Sequence, residues 1–192
     1  RGVSTLSIAR QIGKGLISDI TTVNPATGEE IATYSRLSRE EACAAVDKCH
    51  AAFEQWRLRS LDDRAQVIKN LGKALRDHKE ELAQLMTAEV GKLIGDSRDE
   101  VELCAAICDY TAAHGPEELA DEQREPNNAG RGIVTYSPIG VIYGIQPWNF
   151  PCYQAVRYSI DNLMAGNGVL LKHAESCTGS GSYRKSTPRA RR

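Results

Sequence analysis

Chemistry is most easily written for Pro147-Trp148-Asn149-Phe150-Pro151. Prolines restrict the backbone on both sides of Asn149, which makes its carboxamide a pre-aimed hydrogen-bond donor. A donor aimed before charge develops stabilises an oxyanion without reorganising. A turn-forming asparagine flanked by aromatics has the same local sequence, so both readings stand at this stage. A second group is Lys172-His173-Ala174-Glu175, where a lysine and a glutamate three residues apart suit the hydroxyls of a nucleotide ribose. They equally suit a solvated surface pair. Gly166 and Gly168 permit a tight turn just before, but they do not make a G-x-G-x-x-G fingerprint. The six cysteines (Cys43, Cys49, Cys104, Cys108, Cys152 and Cys177) include no C-x-x-C pair, and four fall on helical faces among Ala, Val, Ile and Leu. Zinc sites need tighter clusters and disulfide frameworks belong mostly to small secreted chains, so buried free thiols and no metal are expected.

The elements that hold these residues are legible from turn chemistry and periodicity. Val23 to Ile31 reads as a hairpin, with Pro25 presetting a turn dihedral and Gly28 accepting positive φ. Ser38 opens a helix and Glu41 completes its capping box. The stripe Ala42, Ala45, Val46, Cys49, Ala52, Phe53 and Trp56 predicts that this helix is packed along its length. A second helix is expected from Ser60 to about Gly91 through Val67, Leu71, Leu75, Leu82, Leu85 and Met86. A third covers about Asp96 to His114, with Gly115-Pro116 as its stop. Asp121 to Gly132 is polar, holds Pro126-Asn127-Asn128, and reads as a loop. The period then changes. Residues 133–136 and 140–145 read as strands, Tyr153 to Met164 as a helix, and 168–172 as an apolar strand buried on both faces. Strand, helix and strand make a parallel βαβ unit, and the Asn149 and Lys172 segments then lie at the C-terminal strand edge where open α/β sheets bind ligands. One such unit cannot bury both faces of a sheet, so the chain is expected to stop in mid-fold.

The 192 residues, 41% hydrophobic and 26% charged with a net charge of −1, fit one ordinary globular domain and give no sign of nucleic-acid or membrane binding. No apolar run approaches the roughly 20 residues of a bilayer span. Residues 1–20 form a leader with Arg1, Arg10 and Lys14 and little acid, a composition shared by transit peptides, disordered leaders and fragment boundaries. Residues 177–192 are expected to be a floppy basic tail, whether native or frame-shifted.

Five segments in order resemble the aldehyde dehydrogenase superfamily: Asn24-Pro25-Ala26-Thr27-Gly28-Glu29, Glu89-Val90-Gly91-Lys92, Pro147-Trp148-Asn149-Phe150-Pro151, Ala165-Gly166-Asn167 and Leu171-Lys172-His173-Ala174-Glu175. The resemblance runs from about Thr21 to Glu175 and is closest to the succinate-semialdehyde branch. It implies an α/β fold: a hairpin and helices over 21–132, then over 133–176 the start of a Rossmann-like parallel sheet, incomplete. It implies Asn149 as an oxyanion-hole donor to a thiohemiacetal, Lys172 and Glu175 on the adenosine ribose, and Ile145, Gln146, Pro147 and Trp148 lining the cofactor cleft. Arg157, six residues after Pro151, stands where semialdehyde enzymes of the family place an arginine for the substrate carboxylate, or is an exposed helix arginine. A carboxylate at Glu175 suits free ribose hydroxyls and repels a 2′-phosphate, which favours NAD over NADP.

The chain departs from the family at His173, where proline is usual; this is expected to loosen the loop. The family's catalytic cysteine, general-base glutamate and nicotinamide-side glycine motif have no match in 176–192, and neither Cys152 nor Cys177 sits in the nucleophile motif. The expectation is the N-terminal part of an aldehyde-oxidising, cytoplasmic or mitochondrial enzyme, homo-oligomeric at full length, with this chain inactive alone. A non-catalytic nucleotide-binding or interaction module derived from the same fold is the alternative.

Overall fold

The structure, a computed structural model, describes residues 19–125 and 130–182. The leader up to residue 18, Pro126-Asn127-Asn128 and residues 183–192 of the expected tail lie outside them. The chain starts with an antiparallel hairpin, β1 (Ile20–Val23) and β2 (Glu30–Tyr34), in register Thr22↔Ala32. Its turn closes as expected: the Asn24 side chain accepts from the Ala26 N–H at 2.9 Å, and Gly28 has φ +76°.

Helix α1 (Arg39–Trp56) begins in the capping box of Ser38 and Glu41. Its apolar stripe is not packed throughout, contrary to expectation. Phe53 alone is buried, and Val46 is 50% exposed. The reason is the neighbour: α1 lies on a sheet of only two strands, which reaches Cys49 and Phe53 but leaves the first turns uncovered. The expected second helix is two, α2 (Leu61–Asp77) and α3 (Lys79–Val90), because the backbone leaves helical geometry at His78 (φ −113°, ψ 17°). Helix α4 (Ile94–Glu118) runs through Pro116 instead of stopping there. Gly115 serves packing: a Cβ at that position would lie 2.6 Å from the Met164 side chain. The Leu119 N–H still reaches the Gly115 carbonyl at 3.1 Å, which carries the helix past the proline.

The core joins α2, α3, α4 and α5 (Pro151–Met164) through Ile68, Met86, Val101, Cys104, Cys108 and Ile160. The segment expected to be a loop contributes strand β3 (Glu122–Arg124), which pairs antiparallel with β4 (Gly132–Val134). Polar composition hides a short exposed ladder, since backbone pairing there needs no buried side chain.

Strands β5 (Val141–Ile145) and β6 (Gly168–Lys172) pair in parallel, Val141 opposite Gly168 and Ile145 opposite Lys172, with α5 as their crossover. The βαβ unit is as expected; the burial of β6 is not, for Leu171 is 37% exposed and on β5 Tyr143 is 59% exposed. A sheet of two strands has too few neighbours to cover both faces. Two glycines set the unit's geometry. Gly166 (φ +92°) turns α5 into β6, and a Cβ there would clash with the buried Arg64 guanidinium. Gly144 lies under the Tyr158 ring, at 2.5 Å from a Cβ position, while the Tyr158 hydroxyl donates to the Leu170 carbonyl at 2.7 Å. The ring is pinned and cannot retreat. Gly144→Ala is therefore expected to lose about 1–3 kcal/mol, the usual range for overpacking. Urea unfolding reads this, and a loss under about 0.5 kcal/mol would mean that the ring moves freely.

Candidate active site

The C-terminal ends of β5 and β6 open on one edge, and the Gln146 N–H extends their ladder to the Lys172 carbonyl at 2.9 Å. Beyond Gln146 the chain turns outward through Pro147, Trp148 and Asn149, all exposed, and enters α5 at the buried Pro151. Asn149 is exposed and makes no side-chain hydrogen bond among the described residues. Helix α5 has no side-chain cap from its own sequence. The cap comes from α4. Glu100 Oε1 accepts from the Cys152 N–H at 2.8 Å and the Tyr153 N–H at 3.0 Å, and its other oxygen meets Lys92 Nζ at 2.5 Å. A carboxylate at a helix N-terminus satisfies orphan donors and opposes the positive end of the dipole. Glu100 is 3% exposed. Lys92 also stands 3.9 Å over the Phe150 ring, so one ion pair contacts Phe150, Cys152 and Tyr153, all within four residues after Asn149.

The other strand end is held as firmly. His173 does not loosen the loop, as its replacement of the family's usual proline suggested. Its Nδ1 accepts from the Ala174 N–H at 2.9 Å and faces the Cys177 thiol at 2.9 Å, which leaves the proton on Nε2 to donate to the Pro151 carbonyl at 2.7 Å. The ring ties the β6 end to the start of α5. After a 3-10 turn (Glu175–Cys177), Thr178–Gly181 forms a short helix, α6, where a basic tail was expected from residue 177. Glu89 fastens α6: its carboxylate accepts from the Gly179 N–H, the Ser180 N–H and the Ser180 hydroxyl at 2.8, 2.8 and 2.6 Å. Packing against a buried acid supplied the order that composition alone does not indicate.

Of the residues expected from sequence, Ile145, Pro147, Trp148 and Asn149 share one exposed run, with Gln146 hydrogen-bonded to the Lys172 strand end. Lys172 and Glu175 both line a cleft of about 1220 Å³, but they do not pair with each other. Glu175 meets Arg36 at 2.8 Å, and that guanidinium holds its carboxyl below the usual range. Arg157 is exposed on α5, its guanidinium 5.7 Å from the centre of the Tyr153 ring. Sequence reasoning gave no role to Arg36, Glu89, Lys92 or Glu100, although Glu89 and Lys92 stand in one of the family-like segments. Two had a signal. Glu89 falls three residues after Met86, and Glu100 lies between Ser97 and Cys104, so each is an acid on the inward stripe of its helix.

Burial pushes Cys108 and Cys177 up to about 12, and a hydrogen bond with Cys152, followed by burial, raises Cys104 as well. The thiolate is the reactive form, so burial of these three thiols works against their reactivity. Cys43 is exposed, whereas expectation placed it with the buried thiols; it sits on the uncovered part of α1. In the native protein an aromatic disulfide reagent is expected to modify Cys43 quickly, Cys49 slowly, and Cys104, Cys108, Cys152 and Cys177 only on unfolding. Rapid native labelling of Cys177, located by peptide mass, would contradict the buried placement.

A parallel βαβ unit packed on a helical core, with Asn149, Lys172 and Glu175 following its strand ends, defines an α/β protein. Residues 14–183 match the model of the aldehyde dehydrogenase family, and the chain belongs to that family. It is 39% identical over 156 residues to the succinate-semialdehyde dehydrogenase [NADP(+)] of Deinococcus radiodurans, covering 81% of this chain and 32% of that protein. It is 40% identical over 158 residues to the succinate semialdehyde dehydrogenase [NAD(P)+] Sad of Escherichia coli, covering 82% and 34%. The succinic semialdehyde dehydrogenase of Streptococcus pyogenes, solved with NADP+, superposes with a TM-score of 0.79 at 31% identity over 84% of this chain and 35% of that one. The chain thus spans about a third of the length of the curated relatives it matches.

Proposed function

We propose that this chain is the N-terminal part of an NAD(P)-dependent dehydrogenase that oxidises succinate semialdehyde to the acid. The observation that carries this is Asn149, exposed just past the β5 end with no side-chain hydrogen bond among the described residues, ahead of a helix start capped by Glu100. Asn149 would donate its Nδ2–H to the oxygen that gains charge when a thiolate adds to the aldehyde carbon. That bond strengthens as charge develops, which is what an oxyanion donor requires. Arg157 would take the substrate's distal carboxylate, for which a guanidinium is well shaped. Lys172 and Glu175 fit an adenosine ribose by donor set, a cation and an acceptor at the end of a parallel strand. A bound nicotinamide supplies the hydride acceptor. Ile145, Pro147 and Trp148 offer exposed apolar surface beside that edge.

We read the chain as inactive alone, because no described thiol joins exposure to a neighbouring base. The test is calorimetric titration of the 192-residue chain with NAD+ and NADP+, beside an assay with succinate semialdehyde. Dinucleotide binding without turnover is expected, and Lys172→Ala should weaken it about tenfold. Turnover by this chain would refute its inactivity. Binding unaffected by Lys172→Ala would remove the ribose assignment. Binding of neither dinucleotide would favour an interaction module.

A further inference from the structure

The edge that holds Lys172 and Glu175 has a third charged member supplied from far away in sequence. Arg36 lies just after β2 and just before the Ser38 cap of α1, so the hairpin and the helix start place it from both sides. Its Nη1 meets Glu175 Oε1 at 2.8 Å, with side-chain exposures of 34% and 50%. Arg36, Lys172 and Glu175 line the same cleft of about 1220 Å³, together with His173, Thr178 and Ser182. Among the lining residues these three carry the formal charges, two positive and one negative. The repulsion that Glu175 alone would exert on a phosphate is therefore answered by the guanidinium it binds and by Lys172.

We propose that Arg36 is a specificity-determining residue: it lets this edge take an adenosine ribose carrying a 2′-phosphate, so that NADP+ is accepted alongside NAD+. This rests on Lys172 and Glu175 being the ribose edge. A guanidinium binds phosphate oxygens through paired, charge-assisted hydrogen bonds. Arg36 has such a fork within reach of the carboxylate that would otherwise contact the 2′-oxygen, and both side chains are exposed enough to exchange partners. With NAD+, Glu175 accepts from the ribose hydroxyl and Arg36 remains its counter-ion. With NADP+, Arg36 turns from Glu175 to the 2′-phosphate.

The experiment compares NAD+ and NADP+ binding to the full 192-residue chain by calorimetry, for wild type, Arg36→Met, Arg36→Lys and Glu175→Gln. Arg36→Met is expected to weaken NADP+ about ten- to a hundredfold, the worth of a charge-assisted bond, while NAD+ stays within about threefold. Arg36→Lys should restore part of the loss, and Glu175→Gln should favour NADP+. Raising salt should weaken wild-type NADP+ binding more than that of the Arg36→Met variant. Equal weakening of both dinucleotides by Arg36→Met would show that Arg36 only shapes the loop and would overturn the proposal. So would an unchanged ratio. If the wild-type chain bound neither dinucleotide, the ribose edge itself would be wrong and the proposal would fall with it, an outcome distinct from both.

Discussion

Glu100→Ala is expected to cost about 3–5 kcal/mol of folding stability, the usual loss when one partner of a buried ion pair is removed. The substitution leaves Lys92, whose side chain is only 14% exposed, without its counter-ion. It also strips the Cys152 and Tyr153 N–H groups of their acceptor at the first turn of α5. A buried donor left unmatched loses its full solvation, about 1–3 kcal/mol each, although the contributions overlap in one network. Urea unfolding measures the loss. Glu100→Gln separates the parts, since an amide oxygen can still cap the helix but cannot neutralise Lys92; it should fall between wild type and alanine. Lys92→Met should act in the same direction, because it leaves the buried carboxylate without its counter-ion. A loss below about 1 kcal/mol for Glu100→Ala would mean that water or another side chain readily takes over the cap. The functional consequence follows from position. Phe150, under Lys92, comes directly after Asn149 and the capped amides follow within four residues, so slack there becomes slack in the proposed donor.

Glu89→Ala is the second large effect, expected at about 3 kcal/mol from three hydrogen bonds to one buried carboxylate. Glu89 is 2% exposed, and it joins α3 to a segment some 90 residues later. The fit is close. A Cβ at Gly179 would stand 2.6 Å from both Glu89 Oε1 and the Tyr34 hydroxyl, so no other residue allows this approach. The damage should be local first: α6 has four residues and no side-chain cap of its own, and without Glu89 nothing comparable holds it. Hydrogen exchange at the Gly179 and Ser180 amides should accelerate far more than at the α4 core. Uniform acceleration across the chain would show that Glu89 supports the whole fold and not this segment. Because the segment follows Glu175 directly, the variant should also weaken dinucleotide binding.

The two acids show why much of the site escaped the sequence. Their neighbours on the chain are ordinary helix formers, and an acid on a helix reads as a solvated residue unless its face is known. Their partners, Cys152 and Gly179, are 52 and 90 residues away. Arg36 is the same case, 139 residues from Glu175. By contrast Asn149, Lys172 and the βαβ unit rest on local signals: prolines around an amide, a strand-helix-strand period and a short apolar run. Those signals act through a few adjacent residues, so the sequence carries them openly.

Local chemistry therefore determined the hairpin turn at Asn24 and Gly28, the Ser38 capping box, and the parallel pairing of 141–145 with 168–172. Each is settled by dihedral preference, an i to i+3 hydrogen bond or apolar periodicity. Tertiary structure alone decided which carboxylates are buried, that His173 ties its loop instead of loosening it, that Pro116 stays inside a helix, and that Glu175 faces Arg36 and not Lys172. These depend on which surfaces meet. A charge is placed by the partner that neutralises it, and for Glu89, Glu100 and Glu175 that partner comes from another element.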